Sequence, residues 1–247
     1  MKNLRISVIS FSLCLLSLLL YGCAAYPSKI TEKEGKIKEV AVISLVQNSV
    51  PVSRIGLTVF NNASTSFVPS TNLNELISQK IETHLRSSRP NWRIRTAIPS
   101  TELLGRLDAL EKKGGNAEEY RALIRDTAQS LSKNGADAVF IAMSSPRQYQ
   151  PFRNAAGVFL RTSNTSQLQD AWIFGTVSIA ITFEDGELAA SSSAPDGYIF
   201  TKVSADKIGL TYKIEDGLMP TQKASIEDEI DKQFSINIAR TLSQMGY

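Results

Sequence analysis

Apolar residues recur in three ways along this chain, and each way marks a different kind of segment. Val40-Ala41-Val42-Ile43-Ser44-Leu45-Val46 and Ala138-Val139-Phe140-Ile141-Ala142-Met143 are near-continuous apolar runs, which suits strands buried on both faces. Strict alternation appears at Ile55, Leu57 and Val59, between Gly56 and Thr58, and predicts a second strand. Pro51 would turn the first strand into it as a hairpin, and Asn61-Asn62 would end it. Alternation returns at Ile173, Val177, Ile179, Ile181 and Phe183, against Thr176, Ser178, Ala180 and Thr182. It predicts one long strand over 172–183, turned back by Asp185-Gly186 into Leu188–Ser192. Shorter strands are expected at 92–95, 157–162 and 198–203.

Helical spacing accounts for the remaining apolar positions. Leu73, Leu76, Ile77, Ile81 and Leu85 share one face, with Asn72 or Thr71 as the cap. Ser100 caps a second helix bearing Leu103, Leu104, Leu107 and Leu110, which Gly114-Gly115 stops. Asn116 with Glu119 opens a third, whose face carries Tyr120, Leu123, Ile124, Ala128 and Leu131 and which ends at Asn134-Gly135. Ile226, Ile230, Phe234, Ile238, Leu242 and Met245 form the stripe of a closing helix over about 225–245. The order predicts an α/β (α+β) domain over 38–247, a single mixed β-sheet with helices packed on it and the C-terminal helix covering the sheet.

The first residues follow a different logic. Lys2 and Arg5 precede an apolar run from Ile6 to Leu20, the length of a signal-peptide core and short for a membrane span. The run ends in Leu20-Tyr21-Gly22-Cys23, which resembles the bacterial lipobox, with Tyr21 where that motif has a small residue. The resemblance implies cleavage of residues 1–22, acylation of Cys23 and anchoring to a membrane, each buried CH2 adding roughly 0.8 kcal/mol. Ala24 and Ala25 follow, not Asp, which in such lipoproteins implies the outer membrane, facing the periplasm. Residues 23–37 then read as the lipidated Cys and a short polar tether, reaching at most roughly 45–50 Å when extended.

Charge and cysteine content narrow the possibilities. Loss of Lys2 and Arg5 with the signal takes the 27 basic residues to 25, against 24 acidic, so no net charge favours nucleic acid. Cys14 leaves with the signal and Cys23 is acylated, so the folded body has no thiol for a disulfide, a nucleophile or a metal. The single histidine, His84, excludes sites needing two His ligands from one chain. No cofactor motif occurs: GxGxxG, GxxxxGK[ST] and GxSxG are all missing from the sequence.

Candidate functional residues are few. His84 lies seven residues after Ile77, on the inner side of its helix; it reads as a packing histidine, with a catalytic base or a protonation switch as the other readings. Two carboxylate sets, Glu184, Asp185 and Glu187, and Glu227, Asp228, Glu229 and Asp231, have the residue type of glycoside hydrolases. The first is expected on a hairpin tip and the second in a helix's first turn, where the dipole favours acids. The segment Pro146–Asn154 follows the carboxyl end of a central strand, the favoured side for ligands in open α/β sheets. It joins Arg147 and Arg153 to Tyr149 and Phe152, residue types typical of binding hot spots.

Gly135-Ala136-Asp137-Ala138 before a buried strand and the Asp185-Gly186-Glu187-Leu188 hairpin add a second resemblance. The element order over 38–203 is similar to that of curli-secretion-type lipoproteins and of outer-membrane activators of peptidoglycan synthases. The expectation is a membrane-anchored, non-enzymatic accessory protein that binds a protein or glycan of the cell envelope. The alternatives are an envelope hydrolase using carboxylate or Ser chemistry, and a subunit of an outer-membrane assembly or secretion complex.

Overall fold

The computed structural model describes residues 33–55, 62–144, 154–162, 168–193, 200–210, 214 and 217–247. Within the unit Lys36–Tyr247, the first buried run is strand β1 (Glu39–Leu45) and lies between two parallel neighbours, β4 (Arg93–Ala97) and β5 (Ala138–Met143). β8 (Ser178–Phe183) pairs antiparallel to β5, and β9 (Leu188–Ser193) to β8, giving the order β4-β1-β5-β8-β9. Both faces of β1 and β5 are buried, as their continuous apolar runs require.

Helices cover this sheet on two sides. α2 (Thr101–Lys113) and α3 (Ala117–Lys133) bury Leu107, Leu123 and Ala128 against Ala41, Ile43, Leu45, Val139 and Ile141. The alternate residues, Val40, Val42 and Phe140, point the other way, toward α1 (Leu73–Ser88), which packs on β1 and β4. The caps are the expected ones: Asn72, Ser100 and the Asn116–Glu119 capping box. Lys113 and the Asn116 N–H both bond the Glu119 carboxylate and hold it below the usual glutamate range, with desolvation opposing. Its contribution is therefore present above the ordinary carboxylate value and lost as pH falls through the lowered one.

Two polar side chains fix the ends of β1. Asp137 Oδ2 accepts from the N–H groups of Lys38 (2.8 Å) and Glu39 (2.9 Å), at the strand's start. At its exit, the buried Asn74 amide bonds both main-chain groups of Val46, accepting at 2.8 Å and donating at 3.0 Å. Asn74 thereby takes the place of a paired strand, satisfying groups that would be costly to bury alone.

The strands form two mixed sheets, where one was expected. Pro51, expected in a turn, lies in strand β2 (Val50–Ile55), which pairs with β3 (Ala63–Phe67) and, in parallel, with β6 (Ala156–Thr162); Leu57 and Val59 of the expected alternating strand lie outside the described residues. β7 (Leu168–Gly175) and β10 (Phe200–Ser204) complete the order β10-β7-β6-β2-β3. Pro51 is inside β2, one residue before pairing with β6 begins at Val52, where a missing N–H is tolerated. The long strand over 172–183 is two strands in different sheets, and Thr176 N–H donates to Ala155 O at the crossing. Apolar positions stay in phase across that break, Ile173 in one sheet and Val177 and Ile179 beyond it, while burial is continuous from Ile173 to Val177, so sequence alternation alone does not reveal it.

The last helix, α4 (Pro220–Gln244), covers the crossing. It lies on β7, touches β6, β8 and β9, and packs beside α1. Gly175 permits this approach. A Cβ there would sit 2.9 Å from Ile230 O and 3.2 Å from the Phe234 ring, while Asn237 Nδ2 donates to Gly175 O at 2.8 Å. α4 starts at Pro220, earlier than expected, because Pro at the first helical position costs no hydrogen bond and the Gln222 side chain returns to Met219 N. Gly175→Ala is expected to lose about 1–3 kcal/mol in urea unfolding through overpacking. Gly105→Ala, in α2 with open space around its Cβ, is expected to gain up to about 1 kcal/mol in the same assay.

Candidate functional site

A groove of about 230 Å³ opens between α1 and α4. Its apolar lining is Val50 from the start of β2, Leu73 and Leu76 from α1, Ile230 from α4, and Pro69 from the segment leading into α1, and of these only Leu76 is part-exposed. Leu73 and Ile230 belong to the core faces of their helices, whereas Leu76 is turned part-way out, toward α4. Thr71, Glu227, Asp228 and Asp231 form the polar rim. Val68, next to Pro69, is 70% exposed, and Met219, one turn before the Lys223 whose ammonium lies over the Phe67 ring, is 56% exposed.

The carboxylates of α4 are not in its first turn. With the helix starting at Pro220, Glu227 through Asp231 fall two to three turns in, beyond the reach of the dipole. Other groups bind them. Lys80 of α1 bonds Asp231 (2.8 Å) and Ser235 Oγ (2.7 Å). Ser70 donates its hydroxyl to Glu227. Lys232 bonds Asp228 at 2.6 Å, and that hydrogen bond, opposed by desolvation and helped by the charges of Asp228 and Glu229, raises the Lys232 ammonium above the usual lysine range. The favourable interaction is thus complete below the ordinary lysine value and fades as pH rises through the raised one. Glu227, bonded to a hydroxyl and not to a cation, keeps its charge uncompensated on the rim.

The other sequence candidates fall elsewhere. Glu184, Asp185 and Glu187 lie on the β8–β9 turn, exposed, with Glu187 N–H donating to Asp185 Oδ1 at 2.9 Å. His84 is half-buried on α1, and its Nε2 bonds the main-chain oxygen of Tyr247 at 3.2 Å, which requires the ring N–H on that side. The Tyr247 ring packs edge-on against Phe140 and tilted against Trp92, at centroid distances of 5.3 and 5.7 Å. Arg89 stacks over both Trp92 and Tyr247 and donates to Gly246 O. His84 therefore helps hold residues 246–247 on the first sheet. Arg147, Tyr149, Phe152 and Arg153 lie outside the described residues, as does Cys23. Among the described residues, no three His, Cys, Asp or Glu side chains are grouped to hold a metal ion, and no helix is long and apolar enough to cross a membrane.

No family model matches this chain, and no curated protein does. Among solved structures, the LpoB C-terminal domain from Salmonella enterica is similar to it, with 15% identity and a TM-score of 0.24. That likeness covers 72% of this chain and 91% of the other. At such values it says nothing of what this chain binds.

The groove's apolar lining was hidden from sequence reading, since Leu73 and Ile230 read as core and Leu76 as their neighbour. The available signal was Val68-Pro69, two apolar residues just outside a helix cap. Asp228→Asn should return the Lys232 ammonium toward its ordinary value, measurable by NMR titration of the lysine side chain. An unmoved midpoint would show that the 2.6 Å contact is not the cause.

Proposed function

We propose that this chain is a lipoprotein of the cell envelope that works by binding, its body held at the periplasmic face of the outer membrane through acylated Cys23. The groove between α1 and α4 carries the reading. It sets the part-exposed Leu76 beside a charged rim of Glu227, Asp228 and Asp231, and apolar contact together with charge gives an interface affinity and orientation. The lipobox-like Leu20-Tyr21-Gly22-Cys23 supports the anchoring, and Ala24-Ala25 the outer-membrane address. The sequence-level likeness to peptidoglycan-synthase activators supports an accessory role toward another envelope protein. The segment with Arg147, Tyr149, Phe152 and Arg153, which follows β5 in the chain, is proposed as a second contact surface.

Two measurements test this. Labelled palmitate should be incorporated into the native chain and not into Cys23→Ala, and that variant should leave the membrane fraction. Photo-crosslinking residues placed at Leu76 and Phe152 in intact cells should each give a reproducible adduct with an envelope component. The anchoring proposal fails if Cys23→Ala is still labelled and sediments with membranes. The binding proposal fails if neither position yields a repeatable adduct.

A further inference from the structure

We infer that the outer edge of β4 takes an extended segment of a partner protein as an added strand, one whose residues alternate between acidic and apolar. The inference rests on the binding reading above and adds a surface that shares no residue with the groove. β4 ends its sheet and is paired on one side only, to β1. Arg93 N–H donates to Lys38 O at 2.7 Å, so in this parallel ladder Arg93, Arg95 and Ala97 turn their main-chain groups inward. Those of Ile94, Thr96 and Ile98 turn outward. The Arg86 guanidinium occupies Ile94 O at 2.8 Å, while Thr96 and Ile98 have no main-chain partner on that side among the described residues. They are open to water: Thr96 is exposed, and Ile98, at 94%, is the most exposed large hydrophobic residue of those described. Outward N–H and C=O groups of this kind are a template for a further strand.

The two faces of the edge decide what the added strand carries. On one face Arg93 reaches Glu39, and Arg95 donates to the carbonyls of Leu131 (3.3 Å) and Asn134 (2.7 Å) at the end of α3. Carbonyls bring only partial charges, so Arg95 stays cationic, and the exposed Lys133 in the last turn of α3 has no acidic partner among the described residues. The acids that bond this edge, Glu39 and Glu82, are each held by one arginine, Arg93 and Arg86, which leaves the charge of Arg95 and Lys133 in excess. On the other face lie Ile94, buried, then Thr96 and Ile98, exposed. An incoming strand therefore meets cations with one set of its side chains and Ile98 with the alternate set. Acidic residues at every second position, with apolar ones between them, match both. A second copy of the chain does not, because two β4 edges side by side would bring two sets of Arg93, Arg95 and Lys133 together.

The test uses the full lipoprotein in a non-ionic detergent, with two synthetic peptides that share alternating Val residues, one carrying Glu at the intervening positions and one Lys. Amide hydrogen exchange at Thr96 and Ile98 reports strand addition, and titration gives affinity. The Glu peptide should slow exchange at both amides, and the Lys peptide should not. Thr96→Pro removes an outward N–H and leaves the inward ladder whole, a change that edge strands tolerate. It should abolish binding of the Glu peptide with the melting temperature unchanged. Ile98→Asp, at a side chain with no core contact to lose, should weaken the Glu peptide about fivefold, and it keeps the test decisive if Thr96→Pro folds poorly. Equal protection by both peptides, or undiminished binding of the Glu peptide to Ile98→Asp, overturns the acidic and apolar assignment. Unprotected Thr96 and Ile98 amides overturn the edge as a site. Protection that rises with protein concentration alone gives the edge to a second copy and overturns the partner. Crosslinking at Leu76 and Phe152 judges the wider binding proposal separately.

Discussion

The contact between α4 and Gly175 is the constraint on which the two-sheet arrangement depends. The chain leaves the second sheet at Gly175 and enters the first at Ser178, so the only covalent bridge at that point is a few residues long. A helix lying on that bridge shields both sheets at once, but only if it comes close. With no side chain at 175, Ile230 and Phe234 reach the strand, and the Asn237 amide donates to the Gly175 carbonyl. Burial of Ile226, Ile230, Phe234, Ile238 and Leu242 then follows from a single stripe on one helix.

The remaining precision comes from polar groups placed at the ends of buried strands. Parallel strands lack hairpins to set their register, so β1 needs other anchors. Asp137 captures two N–H groups at its start, and Asn74 captures both groups of Val46 at its exit. Asp137 lies at the entry to β5 and Asn74 in the first turn of α1, so the same bonds that fix β1 also fix its neighbours. The Gly-Ala-Asp-Ala sequence before β5 thus has a physical role: its Asp is the clamp, and Gly135, with φ of 87°, ends α3 just before it.

The fold is legible in the sequence where one local rule dominates and is not where two distant segments decide. Asn72, Ser100 and Asn116 cap helices because their side-chain oxygens reach nearby N–H groups, a matter of two or three residues. β1 and β5 were legible because burial on both faces leaves no polar alternation. The break at Thr176 was not, since both sheets share a period of two and the phase carries over. β3, Ala-Ser-Thr-Ser-Phe, has almost no apolar pattern and exists because β2 offers an edge. Of the candidate site, the carboxylates were visible and their setting was not: an early Pro220 moved them from a helix terminus to its middle.

That displacement changes what the acids mean. In a first turn, negative side chains need no explanation beyond the macrodipole. Two turns further on, four carboxylates within five positions repel one another, and Glu227 with Asp231 at i, i+4 is a like-charge pair costing roughly 0.2–0.5 kcal/mol. The helix offsets part of this with Lys232 beside Asp228, and α1 sends Lys80 to Asp231 and the segment before it sends Ser70 to Glu227. Groups outside α4 are thus committed to holding a charge arrangement that α4 alone would be better without. Helix stability does not account for it, and neither does the core, because Asp228 and Lys232 are mostly in water, where an ion pair contributes little. What the arrangement does secure is a fixed line of carboxylates along the α1–α4 groove, with Glu227 bonded to a hydroxyl and not to a cation. The groove's chemistry follows from that line.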